Sequence, residues 1–249
     1  MQIVYIIGTL FLGWILALMV NYLSDVLPFT RSFSLPVCPQ CHNQFSLADY
    51  VNFHKCLECG LKRSFRTWVV QAFIPLALIW LLLIPPGHLG FWMCAVILGF
   101  FAVVAIIDYE HRAILFQESV VGSILGLAMG FYLHGIIPTI LGGLAGFLIM
   151  LVLYYLGILF ARLVTRLRRQ VNSSDVGLGF GDVTLAGVLG LMLGWPGITI
   201  GLIVGIILAG MVSAIYLVIL IISRRYKVFS SIPYAPFLVL GSAILLFRP

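Results

Sequence analysis

The sequence predicts an all-α polytopic membrane protein of about eight transmembrane helices with a small cytoplasmic zinc-binding loop domain. Three observations lead there. Of 249 residues 62% are hydrophobic and only 9% are charged, against about 25% charged in ordinary soluble proteins, so a water-facing surface or a disordered chain is excluded. The apolar residues gather into runs long enough to cross a bilayer. Four cysteines stand together in the one sizeable polar stretch. The net charge of +6 belongs to loops that face anionic membrane lipids, not to a nucleic-acid partner.

The first helix is the uncharged run 3–20. Its length, the lack of a basic start and the spans that follow mark it as a helix and not a cleaved signal. Residues 68–107, 119–161 and 183–223 are also uncharged, each about twice the roughly 20 residues a span needs. Each is broken near its middle, at Pro85-Pro86-Gly87, His134-Gly135 with Pro138, and Gly194-Trp195-Pro196-Gly197. Proline and glycine clusters end helices. Three helical hairpins result, with single helices at 3–20 and 232–247. The domain division is 1–21 for the first helix, 22–67 for a cytoplasmic four-cysteine loop, and 68–249 for a seven-helix core. With eight spans, every Lys and Arg except Arg248 lies in segments 21–67, 108–118, 162–182 and 224–231. The positive-inside rule puts those segments in the cytoplasm and both termini outside.

The loop contains Cys38-Pro39-Gln40-Cys41 and Cys56-Leu57-Glu58-Cys59, a C-x2-C-x14-C-x2-C pattern. Two such knuckles complete a tetrahedron that suits structural Zn2+, and a cytoplasmic setting disfavours disulfides. The alternative is a pair of reduced or redox-active CxxC motifs. His42 and His54 adjoin the knuckles as substitute ligands. Four closed ligands leave no position for zinc catalysis. Cys94, mid-helix among apolar neighbours, reads as core.

Two aspartates stand where helices meet the cytoplasm. Asp108 follows the run 91–107. Asp182 ends Gly179-Phe180-Gly181-Asp182 and opens a helix that reaches Gly194 in about 18 Å, short of the roughly 30 Å hydrocarbon layer. Asp182 therefore lies at membrane depth, where ionisable groups are costly and mark functional sites. Paired aspartates at matching depth can share a proton. One then draws a proton from water while the other polarises a peptide carbonyl. Gly179 and Gly181 remove side chains beside Asp182 and let an extended substrate strand approach. The plainer role for either Asp is helix capping.

These motifs together resemble the type IV prepilin peptidases, membrane aspartyl proteases of the GxGD type. The resemblance rests on the CxxC pairs after the first helix, Asp108-Tyr109-Glu110-His111, Gly179-Phe180-Gly181-Asp182 with the following Val-Thr-Leu-Ala-Gly, and Ile232-Pro233-Tyr234-Ala235-Pro236-Phe237-Leu238. It implies an endopeptidase of the bacterial inner membrane that removes the basic leader of prepilins or pseudopilins at the cytoplasmic face, with Asp108 and Asp182 as catalytic pair. Glu110 and Asn21 become candidate substrate-binding residues. Asp25, Asp49 and Asp175 either help attract the leader or are ordinary loop charges. The arginines between 162 and 169 read as a lipid anchor. The resemblance also implies that many members N-methylate the new N-terminus with S-adenosylmethionine. Three departures stand out: Leu115-Phe116 where the family often has Pro-Asp, Thr184 where it often has Lys, and Gln71 for a Glu linked to methyl transfer. Two readings compete with the peptidase. One is a non-catalytic membrane carrier, for which repeat symmetry is missing. The other is an assembly scaffold that binds partners through the zinc loop.

Overall fold

The structure is a computed structural model that describes residues 2–38, 40–41, 43–168, 179–223 and 233–248. His42, Asp175, Arg169, Arg224, Arg225 and Lys227 lie outside them, as do the side chains of Arg166 and Arg168. The described residues form nine helices and no strand beyond an isolated bridge between Val37 and Gln44. They are α1 (Gln2–Thr30), α2 (Leu47–Val51), α3 (Phe65–Leu83), α4 (Phe91–His111), α5 (Phe116–His134), α6 (Ile136–Arg168), α7 (Phe180–Leu193), α8 (Gly197–Ile222) and α9 (Ala235–Leu246). Six are long and apolar enough to cross a membrane, and α7 and α9 are shorter apolar helices. The chain is a multi-pass membrane protein. Its lipid-facing surface is built of exposed apolar side chains such as Phe11, Trp92, Tyr155 and Ile222, and its backbone polar groups are satisfied within the helices, as hydrocarbon demands.

The breaks fall where proline and glycine predict them. Both α5 and α7 stop at a glycine in the left-handed region, Gly135 (φ 80°) and Gly194 (φ 65°), a conformation that ends helices without the strain a Cβ adds. α1 runs nine residues past the expected boundary at 21 and so carries Asn21, Tyr22 and Asp25 on a continuous helix.

Two compact units divide the chain, residues 1–107 and 108–248. In the first, α1 packs on α3 with backbones close together: a Cβ on Gly13 would lie 2.6 Å from Pro75 Cα. Two amides cross the same interface in opposite directions. Asn21 Nδ2 on α1 donates to Thr67 O at 3.3 Å, and Gln71 Nε2 on α3 donates to Trp14 O at 2.9 Å. Small residues and such amide bonds hold helices together where lipid competes for apolar contact.

In the second unit α7 is the central element, packed against α5, α6, α8 and α9. Glycines bring α6 and α7 into backbone contact. A Cβ on Gly142 would lie 2.4 Å from Gly190 O, one on Gly190 2.2 Å from Gly142 O, and one on Gly146 2.3 Å from Ala186 O. α8 and α9 meet similarly at Gly201 and Gly241. This face of small residues fixes the height of α7, and so of the aspartate at its start.

Candidate functional site

Asp108 and Asp182 are both buried in the second unit. Asp108, on the last turn of α4, is 5% exposed, and Asp182, in the first turn of α7, is 7% exposed. Asp108 Oδ2 accepts the N–H of Ala235, the first residue of α9, at 3.0 Å. Asp182 Oδ2 reaches back to accept the Gly179 N–H at 3.1 Å. Each carboxylate is thus held by a helix N-terminus, whose unpaired N–H groups and dipole favour negative charge. The two acids, 74 positions apart in the chain, are near enough to act on each other electrostatically.

The flanking residues fall into place around them. Among the described residues, a Cβ on Gly179 would meet only Asp182 Oδ2 at 3.6 Å and Gly181 N at 3.9 Å. A Cβ on Gly181 would come within 2.9 Å of Ile114 Cβ, so the missing side chain there lets the α4–α5 connection pack closely. Thr184 Oγ1 donates to Gly181 O at 2.8 Å and lies 3.2 Å from Ser119 Oγ on α5, which ties the start of α7 to α5. Glu110 is exposed on the last turn of α4.

Two contributors escape sequence reading. The Tyr234-Ala235 step supplies the backbone N–H for Asp108, and Tyr234 is close enough to Asp182 to sense its charge. A backbone donor leaves no trace in residue type, although the Ile232–Leu238 motif marks its location. The other is Glu118, a third buried carboxylate. Its place in a helix-opening turn makes it read as a cap.

The first unit holds the cysteine site. Cys38, Cys41, Cys56 and Cys59 carry free thiols, and their sulfurs all lie within 4.8 Å of one another. Cys38 Sγ is 3.6 Å from Cys59 Sγ, and Cys41 Sγ is 3.4 Å from Cys56 Sγ. A tetrahedral metal with bonds of about 2.3 Å separates its sulfurs by about 3.8 Å, so the spacing fits one ion. Backbone amides complete the fit. Those of Cys41 and Gln40 address the Cys38 sulfur, and those of Cys59 and Glu58 address Cys56, whose thiol they pull down to about 7. One thiol of each knuckle, Cys38 and Cys56, is thus favoured as thiolate, while Cys41 and Cys59 are pushed up. His54 is not a ligand here: its Nδ1 pairs with Asp49 Oδ1 at 3.0 Å.

The loop is fastened to the extended end of α1. Tyr50 donates to Asp25 Oδ2 at 2.5 Å, and Arg66 pairs with Asp25 Oδ1. The Arg63 guanidinium stacks over the rings of Tyr50 (4.0 Å) and Phe45 (4.6 Å), a cation–π clamp. Asp25 and Asp49 are thus engaged within the loop. Asn21, fully buried, links α1 to α3.

Residues 95–218 match the type IV leader peptidase family. A prepilin leader peptidase/N-methyltransferase of Aeromonas salmonicida (strain A449) is 29% identical over 117 residues, which cover 46% of this chain and 35% of that protein. A protein of the same name from Aeromonas salmonicida matches equally. The chain spans about a third of the length of these curated relatives. No solved structure matches it.

Proposed function

We propose that this chain, which belongs through residues 95–218 to the type IV leader peptidase family, is an aspartic endopeptidase that removes the basic leader from type IV prepilins or pseudopilins. The observation that carries this reading is the pair of buried aspartates, Asp108 and Asp182, within range of each other's charge and each anchored by a backbone N–H. In the mechanism one carboxylate takes a proton from a water as it attacks the scissile carbonyl. The other, holding the shared proton, gives it to the carbonyl oxygen; as the C–N bond of the resulting gem-diol breaks, the first passes the proton it took from water to the leaving amine and the second recovers one from a gem-diol hydroxyl, which restores the starting pair. The N–H groups of Ala235 and Gly179 keep the carboxylates oriented through the proton transfers. Gly179 leaves room for an extended substrate strand beside Asp182.

The distribution of basic residues supports a bacterial inner-membrane setting with both termini outside and cleavage at the cytoplasmic face. Zn2+ is the ion that the four cysteines suit, with Cys38, Cys41, Cys56 and Cys59 holding it in a structural role. N-methylation, which both relatives carry in their names, would require S-adenosylmethionine. Gln71, where the family's linked acid stands, is buried with its amide donating to Trp14 O. It offers no carboxylate for that purpose, and we derive no methyl-transfer step.

The test is cleavage of a leader-bearing prepilin by the detergent-solubilised chain. Asp108→Asn and Asp182→Asn are each expected to lower the rate by at least about 10²-fold. Cleavage that survives both changes would overturn the assignment.

A further inference from the structure

Glu118 is the buried acid that this mechanism does not use. It is 5% exposed, in the first turn of α5. One oxygen, Oε2, accepts the Leu115 N–H at 2.9 Å and caps the helix. The other, Oε1, is sealed from solvent and has no hydrogen-bond partner among the described residues. Capping explains only one of the two oxygens, and a glutamine would cap as well. A buried acceptor left without a donor is costly, so a second role must account for it.

The surroundings say what that role is. Glu118 is near enough to Asp108 for the two charges to act on each other, so the orphan oxygen belongs to the acid pair's neighbourhood. Its turn also borders an open cavity of about 630 Å3 between α5, α6 and α7, which Phe116, Ser119 and Thr184 line. Glu118 is not itself in that lining, but its neighbour Ser119 is, and Ser119 Oγ lies 3.2 Å from Oγ1 of Thr184, two residues after Asp182, so the first turn of α5 sits against the first turn of α7. We propose that Glu118 Oε1 accepts a hydrogen bond from an N–H group of the bound polypeptide and so positions it against Asp108. This inference rests on the peptidase reading above. The donor is either a backbone amide or a basic side chain, which share the N–H chemistry that a carboxylate oxygen recognises.

E118Q isolates the role. Its amide oxygen can still accept from Leu115 N–H, while an NH2 group replaces the orphan acceptor. The full-length chain is assayed in detergent for thermal stability and for steady-state cleavage of a leader-bearing prepilin. E118Q is expected to keep the wild-type Tm and to lower kcat/KM about tenfold or more, chiefly through KM. E118A loses the cap as well, and its Tm falls. A second substrate with its leader Lys and Arg changed to Gln separates the donors: a penalty that persists identifies a backbone amide, and one that disappears identifies a basic side chain. An E118Q enzyme within twofold of wild type, or one destabilised as much as E118A, overturns the proposal. If wild type cleaves and E118Q cleaves equally, this assignment alone falls. If wild type does not cleave, the peptidase reading falls and takes this one with it.

Discussion

The contact between α6 and α7 offers a perturbation whose size can be worked from coordinates. In Gly190→Ala the new Cβ would sit 2.2 Å from Gly142 O, 2.7 Å from Gly142 C and 3.0 Å from Gly143 Cα. These are backbone atoms, so no rotamer change can make room. Restoring an ordinary contact requires the helices to part by about 1.2 Å, and overpacking of this kind costs about 1–3 kcal/mol. α7 carries Asp182 eight positions before Gly190, so the shift also moves Asp182 relative to Asp108. A misplacement of about 1 Å can cost about 10²-fold in rate. The control is Gly157→Ala on the exposed part of α6, where a Cβ meets nothing within 4 Å; there alanine is neutral or gains up to about 1 kcal/mol through helix propensity. Thermal unfolding of both variants in the same detergent, followed by leader cleavage, makes the comparison. Gly190→Ala should melt several degrees lower and cleave far more slowly, with Gly157→Ala near wild type. Equal melting of the two would refute the claim that this backbone contact sets the height of α7.

Other outcomes follow from the first unit. Purified, reduced protein should contain about one zinc per chain, and a double Cys38→Ser, Cys56→Ser variant should lose it; limited proteolysis should then cut between residues 31 and 64, because the bound metal supplies much of such a loop's folding energy. Arg63→Met removes the stack on Tyr50 and Phe45 and should cost about 1–2 kcal/mol, read as earlier proteolysis of the same loop with its zinc retained. Gln71→Met deletes the bond to Trp14 O and should lower stability by about 0.6 kcal/mol, the usual worth of such bonds between membrane helices; a loss several times larger would mean that Gln71 has a further partner. Asp49 is held below the ordinary carboxylate value first by its bond to His54 and then by Ser46. Its contribution is therefore present above the unfolded value and lost as pH falls through the lower folded one, so Asp49→Asn should remove that acid transition from loop unfolding while leaving stability at the lowest pH unchanged.

The helices and breaks were legible because hydropathy and helix-ending glycine act locally. Gly135 and Gly194 stop helices in the structure where the sequence has them beside His134 and Trp195. The cysteine cluster was legible because spacing alone brings two knuckles together. Three things were not. The extension of α1 to Thr30 follows from Asp25 finding Tyr50, Arg63 and Arg66 in the loop, a tertiary compensation that no window along the chain contains. Asn21 read as a substrate-positioning or capping residue at the end of the first helix, but its amide donates to Thr67 O on α3. Gly181 looked like room for substrate, but Ile114 fills the space. In each case the missing information was a partner distant in sequence.

The two short apolar helices of the second unit are the two whose N-termini meet the acids. α7 has 14 residues and carries Asp182 in its first turn; α9 has 12 and presents the Ala235 N–H to Asp108. At about 1.5 Å per residue each falls well short of the roughly 30 Å layer. If their far ends lie at the outer surface, their starts lie below the inner one. A helix beginning inside the hydrocarbon layer leaves its first N–H groups without water or lipid partners, and a carboxylate is the group best suited to satisfy them. The acids therefore complete the short helices, and the short helices hold the acids below the membrane surface. That mutual dependence explains why Asp182 behaves at once as a cap and as a candidate catalyst. It also implies that lengthening α7 at its outer end would not improve the protein: the added turn would push Asp182 toward the cytoplasm and away from Asp108.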